Sequence, residues 1–494
     1  MSVARLTFRS GVWNLAANVG QQALNFLFFV YTARLLDPTA FGLMALAMVL
    51  VDSFTVVGRF GLVEATIQRA DMPDALQNRV FWLLQAVGLA ATFALWFGAG
   101  PLADAFSHPE MAQPLRWLAP VCWLLNSSAV PEARLQRAFG HGAMARSTLW
   151  GVTAGGAVGV AFAVAGFGVF SLVAQKFVSV AVQCVLMWSK ERWRPSLPTL
   201  APTTEIRQLV GIGFHVTSAN LVLMLNTKLM DLLVGLFMGA ATLGYLRTAW
   251  RCFEFVLHVC VGPLANVSLV TFSRVRSEPA RLFVAYGRML EIASLAIFPI
   301  FFGLAATAPL AMPLVFGDQW APAAPLMQAL SLIAVAGAPN PFFVPMMTAT
   351  GNTSRLTTQG VIHIVLSLLL TAAMTPFGVM AVAIAQVARA TLMTGVSLWM
   401  MRFSVDLPYA ATWAAIRPGL ISAGFMSIVV WSSLYWHIFA PLTGWLLLST
   451  AVVAGVAAYG LGLVLGFRQE LGELWNEARA LLRRDEPLDA ATPV

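Results

Sequence analysis

Asn14 to Phe26 reads NLAANVGQQALNF. Five amides sit inside an otherwise mostly apolar run, 11–35. Whether that run lies in water or in lipid decides the fold. The whole chain answers: 59% of its 494 residues are hydrophobic, 11% are charged, and the mean hydropathy is +0.77. A soluble chain is about 25% charged, so this one cannot cover a surface facing water. Its surroundings are lipid. The run is too long for a cleaved leader and many like it follow, so it is expected to be a retained first span.

Fourteen candidate spans follow from apolar runs of about 20 residues. They lie at roughly 11–35, 40–62, 78–98, 113–135, 145–165, 168–188, 206–236, 240–270, 282–307, 322–349, 355–374, 378–401, 414–436 and 442–466. The expected fold is all-α and polytopic. Lys and Arg collect in alternate connections, among them Arg69, Arg79, Arg134, Arg137, Lys190, Arg192, Arg194, Arg274, Arg276, Arg355 and Arg402. Segments 99–112, 165–168, 237–243, 308–321, 375–377 and 437–441 hold neither. The basic side is cytoplasmic. An even span count with both termini inside is therefore expected.

A charged, proline-bearing stretch, KERWRPSLPTLAPTTE from Lys190 to Glu205, separates two sets of six helices. The expected division is a lobe at 1–189, a cytoplasmic linker at 190–205, a second lobe at 206–402, two additional helices at 403–466 and a tail at 467–494. A shift of 202 residues aligns Gly11 with Gly213, Ala17 with Ala219, Asn18 with Asn220 and Gly42 with Gly244. Phe167-Gly168-Val169 matches Phe377-Gly378-Val379, near Gln175 and Gln386. The common order favours a duplication whose copies enter from the same side, as in parallel-repeat transporters. Gly151, Gly155 and Gly159 form overlapping G-x-x-x-G patterns that predict close helix packing, with dimerisation the alternative. In the tail, Leu471, Leu474, Trp475, Ala478, Leu481 and Leu482 share one helical face, which suits a membrane surface, with packing on the protein's own loops the alternative.

At about 100° per residue, Asn14, Asn18, Gln21, Gln22 and Asn25 form one polar stripe. Bonding between helices explains one or two amides; five in register favour a wet cavity. The seventh span adds Thr217, Asn220, Thr227, Lys228 and Asp231, and the eighth adds Arg247, Arg251, Glu254 and His258. Lys228 and Asp231, three apart, are close enough to pair. Asp52 and Arg59 share a face of the second span. Lys176 and Arg389 lie in spans six and twelve.

An ionisable group at mid-membrane costs roughly 2.5–3.5 kcal/mol on the lenient scale, so six lipid-facing cations would cost about 15–20 kcal/mol. That exceeds ordinary fold stability. The cations therefore face the interior, although Arg59 and Arg247 lie near span ends, where snorkelling is an alternative. Asp52, Asp231 and Glu254 cannot neutralise them all, which leaves a net-positive cavity. Guanidinium groups suit phosphate or pyrophosphate, and amides suit sugar hydroxyls. The candidate binding set is Asn18, Gln22, Asn25, Lys176, Asn220, Lys228, Arg247, Arg251 and Arg389. Asp52, Asp231 and Glu254 are candidates for H⁺ or Na⁺ coupling.

Several classes are excluded or disfavoured. There is no P-loop, no C-x-x-C or H-E-x-x-H, and no catalytic constellation, so neither a cofactor, a metal, nucleic acid nor enzyme activity is expected. The four cysteines read as small apolar residues. A polymerase or ligase would need a larger outer loop with Arg or His than 99–112 or 308–321 offers. A drug/cation antiporter would need an acidic cavity.

The run ARLLDPTAFGLMALAMVLVDSFTVVGRFGLVEATIQR, Ala33 to Arg69, resembles the first hairpin of bacterial O-antigen, capsule and exopolysaccharide flippases. These belong to the multidrug/oligosaccharidyl-lipid/polysaccharide superfamily. LGYLRTAWR at 243–251, VTFSRV at 270–275 and FGDQWAPAAPLMQAL at 316–330 resemble its second lobe. The resemblance implies a V-shaped, two-lobed transporter that flips undecaprenyl-diphosphate-linked oligosaccharide across the inner membrane by alternating access. It carries over no established functional residue. Lipid II flippases and multidrug antiporters share the fold. A monomer serving a polymerase and co-polymerase of the same pathway is the expected context.

Overall fold

A computed structural model describes residues 3–59, 61–63, 66, 72–138, 141–196, 228–436 and 444–468, with isolated positions at 211, 217, 220, 221, 224 and 472. The side chains of 3–18, 141, 263 and 266 are outside the description. So are the linker beyond Ser196, most of the seventh span and the expected tail helix.

Among the described residues there is no strand. The helices are α1 (Val3–Leu35), α2 (Pro38–Arg59), α3 (Asp74–Ala105), α4 (Ala112–Leu118), α5 (Pro120–Ser127), α6 (Ala129–Arg137), α7 (His141–Val164), α8 (Val169–Lys190), α9 (Ala240–Cys260) and α10 (Gly262–Val275). Then come α11 (Pro279–Phe316), α12 (Ala324–Gly337), α13 (Asn340–Ala349), α14 (Thr353–Met374), α15 (Val379–Val405), α16 (Tyr409–Tyr435) and α17 (Gly444–Gly466). Residues 228–238 are also helical.

Ten of the described stretches are long and apolar enough to cross a membrane. The protein is a multi-span helical membrane protein, but the count of fourteen is not reached among these residues. The physical reasons are visible in two places. The expected span at 113–135 is divided into α4, α5 and α6, with Pro114, Pro120 and Pro131 interrupting the backbone N–H series. Every eighteen-residue window of α9 contains Arg247, Arg251 and Glu254, too many charges for a simple span.

The chain divides into two compact units. The first comprises Met1–Pro263, Met312–Leu330 and Leu356–Met393; the second comprises Leu264–Ala311, Ser331–Arg355 and Thr394–Val494.

In the first unit, α7 and α8 pack at backbone contact. A Cβ on Gly151 would lie 2.7 Å from Ser179 O, and one on Gly155 would lie 2.5 Å from Gln175 O. The G-x-x-x-G surface is thus occupied by a helix of the same chain. The crossing of α2 and α9 is tighter and reciprocal. A Cβ on Gly42 would lie 1.7 Å from Ala240 O, and one on Gly244 would lie 1.9 Å from Pro38 O. Gly42 and Gly244 are 202 residues apart, and so are Pro38 and Ala240, so the shift that aligns the glycines also exchanges the two contacts. Gly168 and Gly378, the other aligned pair, both take positive φ (57° and 96°) where a turn enters a helix.

The linker's described part is strapped to the first unit. Trp82 Nε1 donates to Ser196 O at 2.8 Å, Arg134 pairs with Glu191 at 3.4 Å, and Trp193 stacks beside Trp188.

The second unit is held mainly by small and apolar residues. Ala306, Met426, Val430, Ala451 and Ala458 form a buried cluster flanked by Phe302 and Tyr459. Two of its hydroxyls tie helices through backbone: Ser294 Oγ donates to Ala415 O at 3.1 Å, and the Tyr459 hydroxyl donates to Leu295 O at 2.9 Å; Arg288 pairs with Glu291 at 2.8 Å.

Candidate functional site

The amide stripe of α1 meets α2, α7, α8 and α9 around a cavity of about 800 Å³, wholly within the first unit. Gln21, Asn25, Phe29 and Thr32 line it at spacings of 4, 4 and 3, one continuous helical face. Gln22 is not among the lining residues, and the Asn18 side chain lies outside the description. Asn220 is also absent from the lining.

The cations converge there. Lys176, Lys228, Arg247, Arg251 and Arg389 all line the cavity, together with Glu254. Arg59 does not; it pairs with Glu132 at 3.4 Å and donates to Leu125 O. Lys228 and Asp231 do not pair with each other. Lys228 reaches across to Asp52 on α2 at 2.8 Å. Asp231, fully buried, pairs with Arg247 on α9. Each carboxylate thereby ties its helix to another one, Asp52 joining α2 to the helix at 228–238 and Asp231 joining that helix to the next in the chain, which spacing along one helix cannot reveal.

Three cavity cations are left without a carboxylate partner among the described residues: Arg251, Lys176 and Arg389, of which Arg389 is held by side chains on its own wall. Arg251 lies with its guanidinium 5.1 Å from the Phe29 ring centre, is exposed to the cavity, and forms no ion pair. Lys176 likewise forms none, and lies within the fields of Asp52, Lys228 and Arg251. Glu254 accepts from Trp250 Nε1 at 2.8 Å. Five cations against three carboxylates give the cavity a positive balance.

The wall at α14 and α15 holds a group the sequence did not single out. Arg389 donates to Gln386 Oε1 at 2.8 Å and contacts His363; Gln386 in turn donates to Thr371 at 3.0 Å. His363 and Ser367 at i, i+4, facing Gln386 and Arg389 at i, i+3, were the available signal. Gln175 and Gln183 complete the amide lining from α8.

The end of this unit carrying the connections without Lys or Arg is closely knit. Arg34 donates to the Leu314 and Val315 carbonyls at 2.7 Å each. Gln319 and Trp320 donate to Ala33 O at 2.9 and 2.7 Å. His108 contacts Gly235 O at 3.2 Å. Residues 33 and 235 again differ by 202, so the connections carrying His108 and Trp320 bond positions related by the same shift.

A family model described as "Polysaccharide biosynthesis protein" matches residues 32–325. The chain belongs to that family. Among its relatives, the succinoglycan biosynthesis transport protein ExoT of Rhizobium meliloti (strain 1021) is 25% identical over 70% of each chain. The lipopolysaccharide biosynthesis protein WzxC of Escherichia coli (strain K12) is 22% identical over 67% of this chain and 68% of its own. The teichuronic acid biosynthesis protein TuaB of Bacillus subtilis (strain 168) is 21% identical over 86% and 88%. The fold is that of the lipid II flippase MurJ in an inward closed conformation, with a TM-score of 0.75, 13% identity, and coverage of 93% of this chain and 100% of that one. A multidrug resistance MATE family transporter of the MOP superfamily, in an inward-facing conformation, matches with a TM-score of 0.61 at 15% identity, over 78% of this chain and 94% of that one.

Proposed function

We propose that the protein flips oligosaccharide units linked to undecaprenyl diphosphate across the bacterial inner membrane, for surface polysaccharide synthesis. The observation that carries this reading is the pair Lys176 and Arg251, cations without carboxylate partners in a cavity whose lining also presents the amides Gln21, Asn25, Gln175 and Gln183. The two supply charge for a diphosphate, and the guanidinium donates two parallel hydrogen bonds. Gln21, Asn25, Gln175 and Gln183 both donate and accept, as sugar hydroxyls require. The family and the transport protein among the relatives support the same class.

On this reading the binding set also includes Lys228, Arg247 and Arg389, with Asn18, Gln22 and Asn220 along the path. Asp52, Asp231 and Glu254 couple transport to H⁺ or Na⁺. Both termini are cytoplasmic, the full chain has fourteen spans, and the repeats are 1–189 and 206–402 joined by a cytoplasmic linker. The knitted end is then the outer gate, shut while the cavity loads from inside. A polymerase consumes the delivered unit.

The test is complementation of a strain lacking the protein. Lys176→Ala and Arg251→Ala are expected to abolish polymer export while membrane abundance stays normal. Full export by the double variant would refute the cavity's role.

A further inference from the structure

A second, smaller cleft lies on the first unit and shares no lining residue with the cavity. Trp96, Phe97, Gln113, Arg116 and Trp117 enclose about 260 Å³, between the C-terminal part of α3 and the short helix α4. Trp96 and Trp117 stand edge to face at 6.2 Å. Phe97 and Trp117 are 74% and 57% exposed, which in a membrane protein places them against lipid.

Arg116 sets this cleft apart from an ordinary aromatic girdle. Its position adjoins a connection, 99–112, that contains no other Lys or Arg. Arg34, the other arginine near this end, is satisfied by two backbone carbonyls. Arg116 has no such partner: no hydrogen bond, ion pair or ring contact joins it to another described residue. Asp104 and Glu110, the acids of the adjoining connection, do not pair with it. Its Nη2 would lie 3.9 Å from a Cβ on Gly100, so the guanidinium lies along α3 beside the aromatic side chains. A guanidinium without a partner at a lipid-facing surface is costly, and an anion from the lipid phase relieves that cost.

We propose that this cleft binds the phosphate of one anionic lipid. Arg116 takes the phosphate oxygens through its fork of donors, Gln113 bonds a headgroup hydroxyl, and Trp96, Phe97 and Trp117 hold the start of the chains. The volume fits a lipid headgroup and is too small for an oligosaccharide, since drug-sized ligands already need about 300 Å³ or more. The inference rests on the membrane setting alone and is independent of what the cavity carries or which way the chain is inserted.

Native mass spectrometry of the full chain in detergent, titrated with phosphatidylglycerol or phosphatidylcholine, tests it. The wild type is expected to retain one phosphatidylglycerol more tightly than any phosphatidylcholine. Arg116→Gln should weaken that tightest adduct about tenfold, the loss of a charge-assisted hydrogen bond. Trp117→Ala should weaken retention of both lipids, and provides a second reading should Arg116→Gln fail to fold by circular dichroism. Unchanged retention in either folded variant overturns the proposal. Inorganic phosphate displacing the lipid at equal concentration would assign the cleft to free phosphate and also overturn it.

Discussion

The two compact units spend their polar residues differently. In the first, Lys176, Arg247, Arg251 and Arg389 face a cavity; only Arg247 has a carboxylate partner among the described residues, and Lys176 and Arg251 stay open. In the second, Ser294 and Tyr459 bond backbone carbonyls of neighbouring helices, and the buried core is apolar, with Phe298, Phe301 and Phe342 as well as Ala, Met and Val. Polar groups that close on backbone contribute stability, whereas cations left open require a ligand. Substitutions in the first unit should therefore cost function before fold, and those in the second should cost fold first.

The largest expected effect is on transport. Replacing both Lys176 and Arg251 with Gln removes two charge-assisted contacts, each about tenfold, so flipping in proteoliposomes should fall about a hundredfold. The thermal midpoint in detergent should stay at the wild-type value or rise, because like charges are removed. A large drop in the midpoint would break the contrast.

Asp231→Asn tests the exception, a first-unit pair that is structural. It leaves Arg247 beside a buried, uncharged partner and should cost about 3 kcal/mol, read as a lowered thermal midpoint. Asp52→Asn, at a pair exposed to the cavity, should cost within about 1 kcal/mol. Equal losses for the two would remove burial as the deciding factor.

In the second unit, Gly419→Leu should destabilise by about 1–3 kcal/mol through overpacking, since even a Cβ there lies 2.9 Å from Ser294 O. Export per folded molecule should be unchanged. Smallest of all, Tyr459→Phe removes one hydrogen bond to Leu295 O and should cost about 1 kcal/mol, with normal export.

Much of this was legible beforehand, and what was not has a common cause. The stripe in NLAANVGQQALNF is a property of one helix, so its direction could be read from spacing, and Asn25 does line the cavity. Its exact width could not, because Gln21 rather than Gln22 faces inward once α1 packs on α7, where Phe28 meets Gly156. The ion pairs could not be read where the partner lay on another helix: Asp231 has Lys228 three residues away, yet pairs with Arg247. His363 was one histidine among six until Arg389 was placed beside it.

The sequence by itself determined that the chain lives in lipid, that it is helical, and that its charges must turn inward. Each of these follows from transfer energies that depend on composition and local periodicity. Only the tertiary structure decided which charges neutralise one another and which stay open, because pairing depends on distances between helices far apart in the chain. Lys176 and Arg251 became the pair to test when Asp52 and Asp231 were seen to be taken by Lys228 and Arg247.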